Sequence, residues 1–173
     1  MDALAEAEFE RYFRARRDAI RRTAYLMCGD WHRADDHTQA AFVALHRHWR
    51  RVRDKGALDA WMRRTLMRAV VDESRRPWRR ERFTDDVVAV DKVVADPDVT
   101  TRHVLVDGLR SVPPRQRAVL VLRYCEDLPE AEVARLLGCS VGTVKAHAHR
   151  GLRSLRGLLG DEFDLAGAHD ERH

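Results

Sequence analysis

No stretch of this sequence stays apolar for the roughly 20 residues that a membrane-spanning helix requires, and its opening, MDALAEAEFERYF, lacks a basic-then-apolar leader. We therefore expect a chain without membrane insertion, working in the cytoplasm. Cysteine is scarce: Cys28, Cys125 and Cys139 are widely spaced, odd in number and form no CxxC pair. That excludes a disulfide scaffold and fits reduced thiols. Strand signals are missing from residues 1–83, which show neither apolar-polar alternation nor a hairpin turn. Lysine is nearly absent, 3 against 29 arginines, a bias that a GC-rich genome would also produce. What remains is a 173-residue chain, 45% hydrophobic, long enough for one ordinary domain or two small ones.

The net charge of +4 is unevenly spread: +7 over residues 1–83, −3 over 84–103, +4 over 104–160 and −4 over 161–173. Two basic blocks are thus joined by an acidic connector and followed by an acidic tail. A solvated face explains any one charge run, but two basic blocks in series suggest two surfaces turned to a polyanion.

Apolar spacing predicts three helices in the first block. Phe9, Tyr12, Phe13, Ile20, Ala24 and Met27 mark the first, ended by Gly29; the second covers residues 34–49, with Ala41, Leu45 and Trp49 inward. The third, residues 57–76, buries Leu58, Trp61, Met62, Thr65, Leu66, Ala69 and Val70 and turns Arg64, Met67, Arg68, Val71 and Arg75 outward. Residues 84–103 contain Pro97 and no sustained stripe, so they read as a flexible linker; their VVAV piece has no partner strand. In the second block, helices are expected over residues 104–111, 115–124, 129–137 and from 140 onward, with residues 161–173 a disordered tail. The fold class is all-α, two small helical domains on either side of the linker.

LPEAEVARLLG followed by SVGTVKAHAHRGL has the helix, tight turn, helix layout of a DNA-binding helix-turn-helix. Gly138 stands where the turn needs positive φ, and Ser140 can cap the second helix. Val141, Val144, Ala148, Leu152, Leu155 and Leu159 form its apolar stripe. The opposite face, Gly142, Thr143, Ala146, His149, Arg150 and Arg153 with Lys145 and His147 on its flanks, carries no carboxylate.

Region by region, the chain resembles a bacterial sigma factor of the extracytoplasmic-function group within the sigma-70 family, closest to its SigE-like actinobacterial branch. LRSVPPRQRAVLVLRYCEDLPEAEVARLLGCSVGTVKAHAHRGLRSLR looks like region 4 of that group, ADDHTQAAFVALHRHW is similar to region 2.2, and AWMRRTLMRAVVDESRR to regions 2.3 and 2.4. The resemblance implies a promoter-recognition subunit that is not itself an enzyme and needs neither metal nor cofactor. Its partners would be the RNA polymerase core (clamp helices and flap), promoter DNA and an anti-sigma factor. Residues 1–83 would act as region 2 and residues 104–160 as region 4. Ser140, Thr143, Lys145, His147, His149 and Arg150 would meet the minus-35 element, where an Arg fork suits guanine. Arg53, Lys55, Arg64, Arg68, Arg75 and Trp78 would meet the minus-10 element. Trp78 either stacks on a base or packs on its own helix. The connection RVRDKGAL would help hold a flipped-out base. Asp35, Gln39, Phe42 and His46 would dock on the core enzyme.

Three departures bear on specificity. Arg68 stands where Asn is common, Ala40 where Glu is common, and His147 where Arg is common, so promoter sequence does not transfer from relatives and the clamp contact is expected to be weaker. Two rival readings remain. Asp35, Asp36, Asp72 and Glu73, or Cys28, His32 and His37, could hold a metal, but their spacing matches no standard set. A stand-alone helix-turn-helix repressor or activator would explain residues 104–160 and leave the basic third helix without a role.

Overall fold

The computed structural model describes residues 2–76 and 97–160, with side chains from residue 101 onward in the second stretch. Among the described residues every regular element is helical. Helix α1 (Ala3–Cys28) is capped by Asp2, which accepts from the Ala5 amide at 2.8 Å, and ends at Gly29 in the left-handed region, φ +70°. Asp30 then accepts from the Arg33 amide at 2.9 Å and starts α2 (Trp31–His48). A chain reversal is therefore written in two adjacent residues, one closing a helix and the next capping another. The second helix begins three residues before its expected start because Asp30 is the cap and Trp31 stacks on Tyr25, ring centroids 3.8 Å apart.

Two short 3-10 turns (Trp49–Arg51 and Lys55–Ala57) lead into α3 (Leu58–Ser74). The second block contains α4 (Pro97–Ser111), α5 (Pro114–Leu120) running on as a π-helical turn (Val121–Cys125), α6 (Glu130–Leu137) and α7 (Val141–Leu159). The linker expected over 84–103 thus gives way to helix at Pro97. Proline breaks a helix only from within; at the first helical position its missing N–H and fixed φ are tolerated. Residues 84–96, the expected tail 161–173 and Trp78 lie outside the described residues.

The cores do not stay separate. One cluster, Ala41, Phe42, Leu45, Trp49, Leu58 and Met62 with Phe9, Tyr12 and Phe13 against it, belongs to the first block alone. The larger cluster joins Ala24, Met27, Leu66, Met67 and Val70 to Val106, Leu109, Leu120, Val133, Val144 and Leu155. In this arrangement the second block sits on the ends of α1 and α3. Helix α5 lies in the middle: Ala118, Val119, Leu120, Val121 and Leu122 are all 0% exposed, an all-round apolar helix of the kind found in core centres. Gly151 lets α7 cross it, since a Cβ there would lie 2.9 Å from Leu120 Cδ1.

Polar contacts join the blocks as well. Glu126 accepts from Thr23 Oγ1 and, at 2.7 Å, from Arg63 Nε. Arg117, 8% exposed, donates to the Met27 carbonyl at 2.5 Å, and to the Arg110 and Val112 carbonyls at 3.0 and 2.9 Å. Burial pushes its guanidinium down to about 10, so it remains charged at neutral pH.

Within the first block, Arg33 donates to Glu73 Oε2 at 3.1 Å and His37 bonds the same oxygen, tying α2 to α3. Burial pushes the Glu73 carboxyl up, but the hydrogen bond and charge of Arg33, with His37, outweigh burial and hold it below the ordinary value. A depressed carboxyl contributes stability above its unfolded value and loses it as the pH falls through the folded one. Glu73→Gln should cost about 1.5–3 kcal/mol at pH 7, the range for a charge-assisted hydrogen bond. The gap to the parent protein should close as the pH falls below about 4.3. Thermal melts from pH 3 to 7 check this; a gap independent of pH would refute it.

Candidate nucleic-acid interface

The α6–α7 pair forms from local signals. Gly138 ends α6 at φ +65°, where an L side chain would be strained, and Ser140 accepts from the Thr143 amide at 3.1 Å to start α7. Ser140 Oγ and Thr143 Oγ1 are 2.9 Å apart, so both hydroxyls serve the cap. Val144, Ala148 and Leu155 are buried as the stripe predicts, while Val141 is 38% exposed and Gly151 takes a place in the packed face.

On the outer side, Lys145, Ala146, His149, Arg150 and Arg153 are exposed on one face of α7. Lys145 is held only loosely, 3.8 Å from Glu130 Oε2 with most of its side chain in solvent. His147 departs from this group. It turns into the space between the two blocks, with its Nδ1 sealed from solvent and without a hydrogen-bond partner. Burial pushes its imidazole below the ordinary value, and Arg150 and Arg115 add to the effect.

The minus-10 candidates divide in two. Arg53 and Lys55 lie on the exposed loop before α3, where Asp54 accepts from the Gly56 amide at 2.8 Å; Lys55 Nζ sits 3.5 Å from the Trp49 ring centroid, so its charge is spent partly on that ring. Arg64, Arg68 and Arg75 line a cleft of about 430 Å3 against α5, α6 and α7, opposite Arg115, Arg135 and His147. Arg115 and Arg135 carry no local signal for this role, and only the closure of the two blocks brings them to that place.

A groove of about 660 Å3 between α1 and α2 gathers Asp35, Gln39, Phe42 and His46. Phe42 needs correction as a docking side chain: it is 4% exposed and packs edge-on to Phe13 at 4.8 Å, because its helical position faces α1. Val43, one residue on and 43% exposed, is the apolar side chain open to solvent at that groove. Asp35 is held by Arg21, whose hydrogen bond keeps the carboxyl below its ordinary value. His46 lies edge-on to Phe9 at 4.9 Å.

Side chains considered for a metal are engaged elsewhere: Cys28 Sγ donates to the Asp30 carbonyl at 3.2 Å and His37 bonds Glu73. Among the described residues no three His, Cys, Asp or Glu side chains gather as a metal site, and no helix is long and apolar enough to cross a membrane.

Lys145→Ala should leave stability within about 0.5 kcal/mol, as for other surface positions, and reduce the salt slope of duplex binding by about 1. Val144→Ala, at a fully buried position, should instead cost about 1–3 kcal/mol. Paired thermal melts and salt titrations separate the two; equal loss of stability would refute the division.

Comparison with known families matches residues 12–80 to Sigma-70 region 2 and residues 102–155 to Sigma-70, region 4. The RNA polymerase sigma-E factor of Streptomyces coelicolor is 36% identical over 155 residues, covering 86% of this chain and 84% of that one. The ECF RNA polymerase sigma factor SigE of Mycolicibacterium smegmatis is 30% identical over 169 residues, 91% of this chain and 64% of that one. Among solved structures, the sigma factor RpoE of Bartonella quintana, crystallised with the anti-sigma factor NepR, shares the fold with a TM-score of 0.69 at 20% identity, covering 90% of this chain and 99% of that one. With both regions present in order, and with relatives matched over most of their length, the chain belongs to the sigma-70 family as an extracytoplasmic-function RNA polymerase sigma factor of the SigE-like branch.

Proposed function

We propose that this sigma factor reads its promoters at two points, with residues 104–160 on the minus-35 duplex and residues 1–83 on the opened minus-10 element. The observation that carries the reading is the outer face of α7: cations without an intervening carboxylate, on a helix whose N-terminus Ser140 caps. Thr143, Lys145, His149 and Arg150 are the groups assigned to phosphates and base edges there. His147 joins them only if the cleft opens. Arg53, Lys55, Arg64, Arg68, Arg75 and Trp78 are assigned to the melted strand. The α1–α2 groove, with Gln39, Val43 and His46 at its surface, is assigned to the clamp helices of core RNA polymerase.

Catalysis belongs to the polymerase in this reading, the working compartment is the cytoplasm, and an anti-sigma factor would act by covering the same basic faces. Core enzyme plus this chain should give run-off transcripts from its promoters, where core alone gives none. Failure of the folded chain to co-purify with cognate core at micromolar concentration would sink the proposal. Tight, specific binding of a promoter duplex by the free chain would favour a stand-alone repressor.

A further inference from the structure

The cleft between the two blocks has a charge pattern that promoter binding does not require. Arg64 and Arg68 come from α3, Arg75 from its C-cap, Arg115 from α5 and Arg135 from α6, and among the described residues none of the five has an ion-pair partner. Asp72 is the one carboxylate on the lining. All five side chains remain exposed at the rim of one space, so closure concentrates positive charge there and the groups repel each other across the cleft. His147 adds an orphaned ring nitrogen to the same wall, and Val71 and Leu137 add half-buried apolar surface. The volume, about 430 Å3, is that of a small-molecule site.

We propose that this cleft binds a linear oligophosphate, either free or as the phosphate chain of a nucleoside triphosphate, held by Arg64, Arg68 and Arg75 from one block and Arg115 and Arg135 from the other. Planar guanidinium forks suit phosphoryl oxygens, and a chain of phosphoryl groups reaches several of them at once, which a single phosphate does not. The anion neutralises the repulsion and cross-links the closed arrangement. Binding of this kind stabilises the closed form in proportion to the logarithm of ligand concentration. The site goes beyond the promoter reading, because Arg115 and Arg135 belong to neither promoter-contact set.

Calorimetric titration of the full-length chain with tripolyphosphate, ATP and orthophosphate, in metal-free buffer at matched ionic strength, tests it. Tripolyphosphate should bind one to one and at least tenfold more tightly than orthophosphate. The double variant Arg115→Ala, Arg135→Ala should lose at least tenfold in that affinity while keeping its affinity for a minus-35 duplex, which also shows it folded. By proton NMR, the His147 ring should titrate at higher pH with tripolyphosphate bound, since a nearby anion favours imidazolium. ATP binding at least as tightly as tripolyphosphate would place a base on the Val71 and Leu137 wall; weaker ATP binding would assign the site to free oligophosphate. No saturable binding of tripolyphosphate, or an affinity unchanged in the double variant, would overturn the proposal. The promoter reading would stand in either case.

Discussion

Arg117→Met should be among the most damaging single substitutions in this protein, lowering stability by about 3 kcal/mol or more, because it strands up to three carbonyls at about 1–3 kcal/mol each. For a chain of this size that is a fall of about 6–12 °C in melting temperature. Met fills much of the volume of the Arg stem and removes a guanidinium that burial already disfavours, so part of the loss is offset. What it cannot replace is the donor set. The carbonyls of Met27, Arg110 and Val112 face the guanidinium, and the first of them is the only one from the opposite block. Arg117→Lys, which keeps the charge but loses the planar fork, should fall between the two. Differential scanning calorimetry of the three proteins measures the order. A Met variant as stable as its parent would show that the buried guanidinium contributes nothing net to the joined core.

A second large effect should appear on single-stranded DNA. With the blocks closed, Arg64, Arg68 and Arg75 share a cleft of about 430 Å3 with Arg115 and Arg135, and we expect a continuous strand to reach all three only when it opens. Glu126→Arg sets a cation against Arg63, where the parent has a 2.7 Å ion pair, and removes the carboxylate that accepts from Thr23, leaving that hydroxyl only its bond to the Ala19 carbonyl. It should open the arrangement. The free variant should then bind a minus-10 single strand at least tenfold more tightly than its parent. Release of three arginines should steepen the salt slope by about 2, at roughly 0.7 per phosphate neutralised on single strands. Affinity for a minus-35 duplex should change little, because Lys145, His149 and Arg150 are exposed before opening. Fluorescence anisotropy with both probes decides the matter. Equal single-strand affinity for parent and variant, with helicity preserved by circular dichroism, would show that closure does not mask the minus-10 face.

The expected masking therefore falls on the side that helical periodicity did not indicate. Spacing placed Thr143, Lys145, His149 and Arg150 together on α7, and they share one outer face there. It placed His147 with them as a flank, whereas packing against the first block turns it inward. For Phe42, an aromatic in a matched motif suggested a contact for a partner, and the pairing of α1 with α2 buries it.

Elements whose causes are local could be read directly from the chain. Gly29, Gly138 and Ser140 fix helix ends because left-handed backbone and capping oxygens act within a few residues; Asp30 acts the same way, yet the apolar spacing alone set the start of α2 three residues late. The apolar stripes of α3 and α7 could be read for the same reason, since spacing of three and four residues specifies a face before anything packs on it; Met67, expected on the outer face of α3, is instead 1% exposed because the second block covers that side. Which face meets which partner is not local. Arg117 gave no sequence signal of burial, because arginine belongs on surfaces unless carbonyls from distant segments converge on it. The basic cleft, the shared core and the link from Glu126 to Arg63 and Thr23 join residues as much as 103 positions apart. Those contacts depend on the way α5 seats between the two blocks, and only tertiary packing decides that, because the free energy comes from apolar surfaces that each block alone would leave in water.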